Sequence, residues 1–393
     1  MAEKNPTTTI WDYLRWRGDL LFTQDGFNEV DNLLLCIVSY IDFRRIARLR
    51  SFDPTNAMPI GDVCALLTEE DEQRGLSPED YIPVMRAMAA TPRFRDVKMF
   101  AFEDSYDEEK VMQFSAVSFL LPDDSVFVAY RGTDTTLVGW VEDFNMSFMT
   151  AVPAQLRATE YVVEVAGRVH RRTLRIGGHS KGGNLAAWAA IHLPEKLQTK
   201  RLLAAYNNDG PGFDKSVLES EGFRRVAEKL HTFIPESSVV GMLLEHTEDY
   251  TIIDSTSVSL LQHEPLSWNV MGPQFIYLGQ RTEAARWGDN VIREWLAGLT
   301  REERQEFVET LHQILSLGGK TKTLDDLHSG GLSSGVALLK EYAGTDEKKK
   351  KMLSELMGRL AVDAKDELRR AAEEKWKKAG EDFRQALDKL RIV

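Results

Sequence analysis

The chain has 393 residues, room for a large core and for more than one domain. Its hydrophobic content of 43% and charged content of 28% are ordinary for a globular protein in water. A net charge of −12 argues against a general nucleic-acid binder, because such proteins need a basic footprint to meet phosphate.

The N-terminal stretch MAEKNPTTTIWDYLRWRGDLLF lacks the basic run followed by an apolar core that marks a secretory leader. Residues 11–95 read as helical and form the first expected segment, 1–95, packed on the core. Within it the most apolar stretch, NLLLCIVSYI, is about half the ~20 residues a spanning helix needs, so a buried helix is expected and no transmembrane segment. Arg44, Arg45, Arg48 and Arg50 follow, and prolines punctuate the rest of the segment. Cys36 and Cys64 are the only cysteines and form no C-x-x-C, so neither a zinc site nor a disulfide framework is expected, and a reducing, cytoplasmic compartment is.

Between Met99 and Thr133 the periodicity changes. MQFSAVSFLL and SVFVAYRG are rich in β-branched and aromatic residues, and Pro122-Asp123-Asp124 between them supplies turn chemistry, which predicts a β-hairpin. A helix around Tyr161–Arg171, the strand TLRIGG, a helix after Ser180 and the strand RLLAAYNN follow. Then come a helix around Lys215–Leu230 and the strands HTFIP and YTIID. Strands alternating with helices imply a mostly parallel sheet covered on both faces, here over residues 96–290. From Asn290 the chain reads as a charged helical extension, 291–393, with a capping box at Thr300 and Glu303 and a stop at Gly318-Gly319. Beyond Asp346, Leu353, Leu356, Leu360, Leu368, Ala372 and Trp376 recur at about helical spacing, an apolar stripe for its own protein or for a homo-oligomer. Both charge signs are interleaved along it, unlike the basic face of a membrane-surface helix.

The chemistry-bearing pattern is Gly178-His179-Ser180-Lys181-Gly182, a G-x-S-x-G. Alone it is weak. Its setting strengthens it: TLRIGG supplies a strand, GGNLAAWAAIHL supplies a helix rich in alanine, and glycines flank the turn where the two backbones crowd. That setting makes Ser180 the candidate nucleophile. A nucleophilic serine needs an imidazole base and a carboxylate to orient it. His263 in LLQHEPLSW follows the last strand candidate and is the expected base, ahead of His192, His231 and His246. For the oxyanion, one N–H is expected from Lys181 and another from Thr133, which ends VAYRGT.

These stretches together resemble the class 3 (fungal-type) lipases, which carry RGT or RGS before a GHSxGG elbow; here they read RGT and GHSKGG. The chain is similar more specifically to the bacterial Mbeg-like lipase-like domain family, through YLRWRGD, FNEVDNLLL, YNNDGPGF and QHEPLSW. The resemblance covers roughly residues 11–280 and implies an α/β-hydrolase fold and serine hydrolase chemistry, with no known substrate. One departure concerns the acid. In the class 3 aspartate segment this chain has FIPESSVVGML, with Ser237 or Ser238 in the aspartate place and Glu236 beside it. Asp209, at the end of the strand after the nucleophile helix, is the other leading candidate, and Asp254 or no acid at all complete the options. The expected activity is lipase- or esterase-like hydrolysis of a small-molecule or lipid ester, needing no cofactor or metal. The alternatives are acyl transfer and a weak or inactive hydrolase fold serving as a binding or assembly protein.

Overall fold

Residues 112–130 build the hairpin at the centre of the fold. Strand β3 (Met112–Leu120) turns at Pro122–Asp124 into β4 (Ser125–Tyr130), where the Asp123 side chain accepts the Ser125 N–H at 3.1 Å and closes the turn. In the computed structural model the described residues are 8–68, 71, 81–107, 109, 112–133, 151–236, 238, 250–257 and 262–279. The expected C-terminal helices, His246 and Ser237 lie outside them.

Among the described residues the main sheet has eight strands in sequential order: β1 (Met58–Pro59), β2 (Lys98–Asp107), β3, β4, β5 (Thr173–His179), β6 (Leu202–Asn208), β7 (Leu230–Pro235) and β8 (Tyr250–Ile253). Strands β1 to β4 pair antiparallel, and β4 to β8 pair parallel. A short antiparallel pair, β9 (Val270–Met271) and β10 (Gln274–Phe275), follows.

Sequential order among parallel strands has a consequence. Crossovers of one hand that step the same way along a sheet all fall on the same face. That face is covered by α5 (Pro153–Arg168), α6 (Lys181–His192) and α9 (Glu221–Val226), which bury Val162, Leu185 and Phe223 against Val128, Ile176 and Ala205. The other face would be bare. It is covered instead by the N-terminal helices α1 (Ile10–Arg17), α2 (Glu29–Val38), α3 (Ile60–Ala65) and α4 (Tyr81–Ala89), together with Trp268 and Phe275. Period-2 alternation in β4 feeds both layers: Phe127 and Ala129 face the N-terminal helices, while Val126, Val128 and Tyr130 face the crossover helices. Two short helices, α7 (Glu195–Lys200) and α8 (Lys215–Leu218), complete the connections. This is an α/β-hydrolase fold. Among the described residues no helix is long and apolar enough to cross a membrane.

The N-terminal layer is pinned by a buried ion pair. Asp31 and Arg93 have fully buried side chains, with Arg93 Nε 2.8 Å from Asp31 Oδ1. Tyr13 donates to the same oxygen at 2.7 Å, and Arg93 also donates to the carbonyls of Leu20, Asp25 and Gly26 at 2.9 Å. Every charge is thus hydrogen-bonded, the condition under which a buried pair is tolerated. The arrangement accounts for much of FNEVD and WRGD: Asn28 caps α2, Asp31 closes the capping box, and the carbonyl of Gly18 accepts the Arg93 N–H at 3.0 Å.

Candidate active site

Strand β5 ends at His179 and α6 begins at Lys181, leaving Ser180 to make the whole turn. Its φ is +60° and its ψ −134°, a conformation that residues with a side chain avoid at a cost of order 1–3 kcal/mol. The strain is held from both sides: the Ser180 N–H donates to Asn208 O at 2.9 Å, and its carbonyl accepts the Gly183 N–H at 2.8 Å. Strand and helix backbones touch beneath it. A Cβ on Gly178 would lie 2.1 Å from the Gly182 carbonyl, so only glycine fits. The end of β4 presses equally close, since a Cβ on Gly132 would come within 2.6 Å of the His179 carbonyl and 3.0 Å of the Ser180 Cβ. Thr133 therefore stands beside the elbow. The Lys181 N–H opens α6 there, while the Lys181 side chain runs the other way, into the core, where its Nζ donates to the Gln113 carbonyl at 3.0 Å.

At the end of the neighbouring strand β6, Asp209 is also held at positive φ, +55°. Its N–H bonds Phe233 O at 2.8 Å, and the Asx-type turn into Gly210 is made by Asn207, whose Oδ1 accepts the Gly210 N–H at 2.9 Å. The Asp209 carboxylate is thus left for another partner. Fully buried, its Oδ2 lies 2.6 Å from His263 Nδ1 and accepts the Ser238 hydroxyl at 2.6 Å. Asp209 Oδ1 has no hydrogen-bond partner among the described residues.

His263 is placed by its own motif. Trp268, fully buried, donates its indole N–H to Gln262 O at 2.9 Å, and Ser267 donates to Glu264 O at 2.6 Å, so both neighbours of His263 are tied down. Its side chain stays 26% exposed. With Nδ1–H donated to Asp209, Nε2 of the neutral ring carries a lone pair. His263 packs 4.6 Å, centroid to centroid, from His179, the residue that precedes Ser180. Ser180, His263, Asp209, Lys181 and Thr133 are therefore gathered at one edge of the sheet. Among the described residues no hydrogen bond joins Ser180 Oγ to His263, a contact that often tightens only with substrate bound. Glu236 follows β7, and its N–H bonds Ile253 O at 3.2 Å; the carboxylate on the imidazole is that of Asp209. Asp254 instead accepts the Asn269 side chain at 2.7 Å.

Several residues that sequence reasoning passes over hold this cluster. Asn208 donates to Gly178 O at 2.9 Å and accepts from Asn32 of α2 at 2.9 Å, so the N-terminal layer reaches the acid loop. Tyr40 stands 3.0 Å from His179 Nδ1. Burial, reinforced by the neighbouring His263, pushes the His179 pKa well below the usual histidine range, and burial pushes the Cys36 thiol up. Among the described residues no group of three or more His, Cys, Asp or Glu side chains is arranged to hold a metal ion.

A family model described as Mbeg1-like matches residues 88–313, more than half of the chain. The chain belongs to the Mbeg1-like family. Among solved structures it is similar to the native Rhizomucor miehei lipase propeptide complex, at 15% identity over 47% of this chain and 71% of that one, with a TM-score of 0.34. It is likewise similar to the Lip2 lipase of Yarrowia lipolytica, at 15% identity over 53% of this chain and 78% of that one, with a TM-score of 0.32. No curated protein matches the chain in sequence.

Proposed function

We propose that this Mbeg1-like protein is a serine ester hydrolase in which Ser180, His263 and Asp209 form the catalytic triad. The observation that carries the reading is the strained Ser180 at a strand–helix elbow beside an imidazole whose Nδ1 meets a buried carboxylate. Ser180 Oγ attacks the ester carbonyl carbon while His263 Nε2 takes the hydroxyl proton. Asp209 stabilises the imidazolium and holds its tautomer. The N–H groups of Thr133 and Lys181 receive the negative charge that develops on the carbonyl oxygen. The Lys181 donor has the added advantage of the positive end of α6. Collapse of the tetrahedral intermediate breaks the bond to the alcohol, which leaves with the proton from His263. Water then repeats the cycle on the acyl-enzyme. Resemblance to the class 3 lipases favours an ester over an amide.

The test is labelling by a fluorophosphonate probe, together with hydrolysis of p-nitrophenyl esters of increasing chain length. Wild-type protein is expected to label and Ser180→Ala not to. Ser180→Ala and His263→Ala are each expected to lower kcat/KM by on the order of 10³-fold or more while keeping the fold. Wild-type kcat/KM in either variant would remove that residue from the triad. A wild-type protein that neither labels nor hydrolyses would leave the fold to a binding or assembly role.

A further inference from the structure

His179 does more than precede the nucleophile. Its ring is almost completely buried at the end of β5, with Nε2 2.8 Å from the backbone carbonyl of His263. A carbonyl can only accept, so the proton sits on Nε2 and Nδ1 is an acceptor; the Tyr40 hydroxyl lies 3.0 Å from that Nδ1 and 3.2 Å from the His179 carbonyl, both acceptors on the one residue. The Tyr40 hydroxyl also presses on Gly132, in the strand end that leads to Thr133, where a Cβ would lie 2.1 Å from it. Trp268 closes the remaining side, edge-on at 5.9 Å. One neutral imidazole thus touches the base loop and, through Tyr40, the oxyanion strand, and it is one peptide bond from Ser180.

We propose that His179 is the positioning residue of the base: its Nε2–H on the His263 carbonyl, with Tyr40 on its Nδ1, sets where the His263 ring stands relative to Ser180. This rests on the triad reading above. Asp209 grips the His263 side chain, Trp268 and Ser267 tie the carbonyls of its two chain neighbours, and among the described residues His179 alone grips the carbonyl of His263 itself. With the His263 carbonyl released, the peptide that carries the ring turns between its two tied neighbours, and Nε2 moves off the line to Ser180 Oγ. A displacement of about 1 Å at that distance is enough to cost on the order of 10²-fold in rate. The ring must also be neutral. A charged His179 would oppose the imidazolium that His263 becomes, and burial prevents that charge.

Two substitutions separate positioning from packing. His179→Phe keeps the ring volume and loses the donor; His179→Gln carries an amide N–H near the place of Nε2. With p-nitrophenyl butyrate, His179→Phe is expected to lower kcat about 10- to 100-fold with KM within about twofold, and His179→Gln to recover most of the loss. The downfield Nδ1–H proton resonance of His263, read by NMR, is expected to broaden or vanish in His179→Phe and to persist in His179→Gln. Wild-type kcat in His179→Phe, or equal losses in both variants with the resonance unchanged, would overturn the proposal. Should His179→Phe fail to fold, Tyr40→Phe carries the same test. It removes the hydroxyl from Nδ1, and it is expected to lower kcat about 3- to 10-fold and to weaken the resonance; no change in either measure would refute the role. If wild-type protein neither labels nor turns over, the triad reading has failed, and the resonance in the two His179 variants decides the positioning claim alone.

Discussion

Ser180 and Asp209 are both held at positive φ, +60° and +55°, at the ends of adjacent parallel strands. Strain of this kind persists only where surrounding bonds over-determine it, and here it marks two turns at the sheet edge, one of which hands its carboxylate to His263. The residue scale is where the choice of acid is decided. Asp209→Asn is expected to lower kcat by on the order of 10²- to 10⁴-fold, because an amide at Oδ2 either repels Nδ1–H or enforces the wrong tautomer. Glu236→Gln is expected to change kcat less than threefold. Steady-state kinetics on one ester checks both, and the reverse ranking would return the acid to the class 3 position. Ser238, one of the two serines in the class 3 aspartate segment, donates its hydroxyl to the Asp209 carboxylate. The Ser180 and His263 candidates were legible because each sits in a local motif with a readable strand beside it. Asp209 stayed one of several options, since strands β6 and β7 both end in a carboxylate and sequence does not say which faces the imidazole. His179, Tyr40 and Asn32 were not legible at all. Their contacts close across 84, 139 and 176 residues of chain, and no local pattern encodes such pairs.

At the scale of elements, the elbow depends on two backbones approaching within the radius of a methyl group. Gly178→Ala puts a Cβ 2.1 Å from Gly182, and backbone cannot move aside as a flexible side chain would. The variant is expected to lose 1–3 kcal/mol or more of stability and nearly all probe labelling, measured by urea unfolding and by fluorophosphonate capture. Unchanged labelling would mean that the elbow tolerates a wider turn. The hairpin of β3 and β4 and the helix after Ser180 match their sequence signals because period and turn chemistry agree there. Elsewhere the signals divide. The apolar run after Asp31 is helical only to Val38, where Ser39 caps the end by donating to Cys36 O at 2.6 Å. Helix α5 starts at Pro153, eight residues before the expected Tyr161. Its first buried turns use Ala154 and Ala158, which read as no apolar stripe, and Gln155 closes its N-terminus on the Val152 N–H at 3.0 Å. The run Lys215–Leu230 breaks into α8, α9 and a 3₁₀ turn, because Asp214 and Ser220 each cap a fresh start. Strand β2 escaped notice, since its register shifts between Phe100 and Glu103 and interrupts the alternation.

At the scale of the whole molecule, the two faces of the sheet carry separate cores, and the layer over one of them is supplied from the N-terminal region. That layer also reaches the candidate site, through Asn32 and Tyr40. Tyr40 meets a buried histidine there, His179. Its folded-state pKa lies well below 6.5, first from burial and then from His263 beside it. In the unfolded chain it titrates near 6.5. Above that pH both states bind no proton there, and the folded state keeps its full stability. Below it the unfolded chain takes up a proton that the folded chain refuses, so stability falls as pH drops from about 6.5 toward the folded value. His192 and His231 are shifted the same way by burial, but both sit at the surface, where solvent screens the effect. Glu29 works in the opposite direction. Burial raises its pKa above the ordinary carboxylate value, so its contribution to stability grows on acidification. The expected outcome is a melting temperature that declines between pH 7 and about pH 5.5, followed by thermal unfolding in buffers of constant ionic strength. His179→Gln cannot take up the proton and is expected to flatten that decline, even if its melting temperature at pH 7 is lower. A variant curve parallel to wild type would show that acid sensitivity lies elsewhere, and that His179 accepts a proton in the folded state as readily as in the unfolded chain.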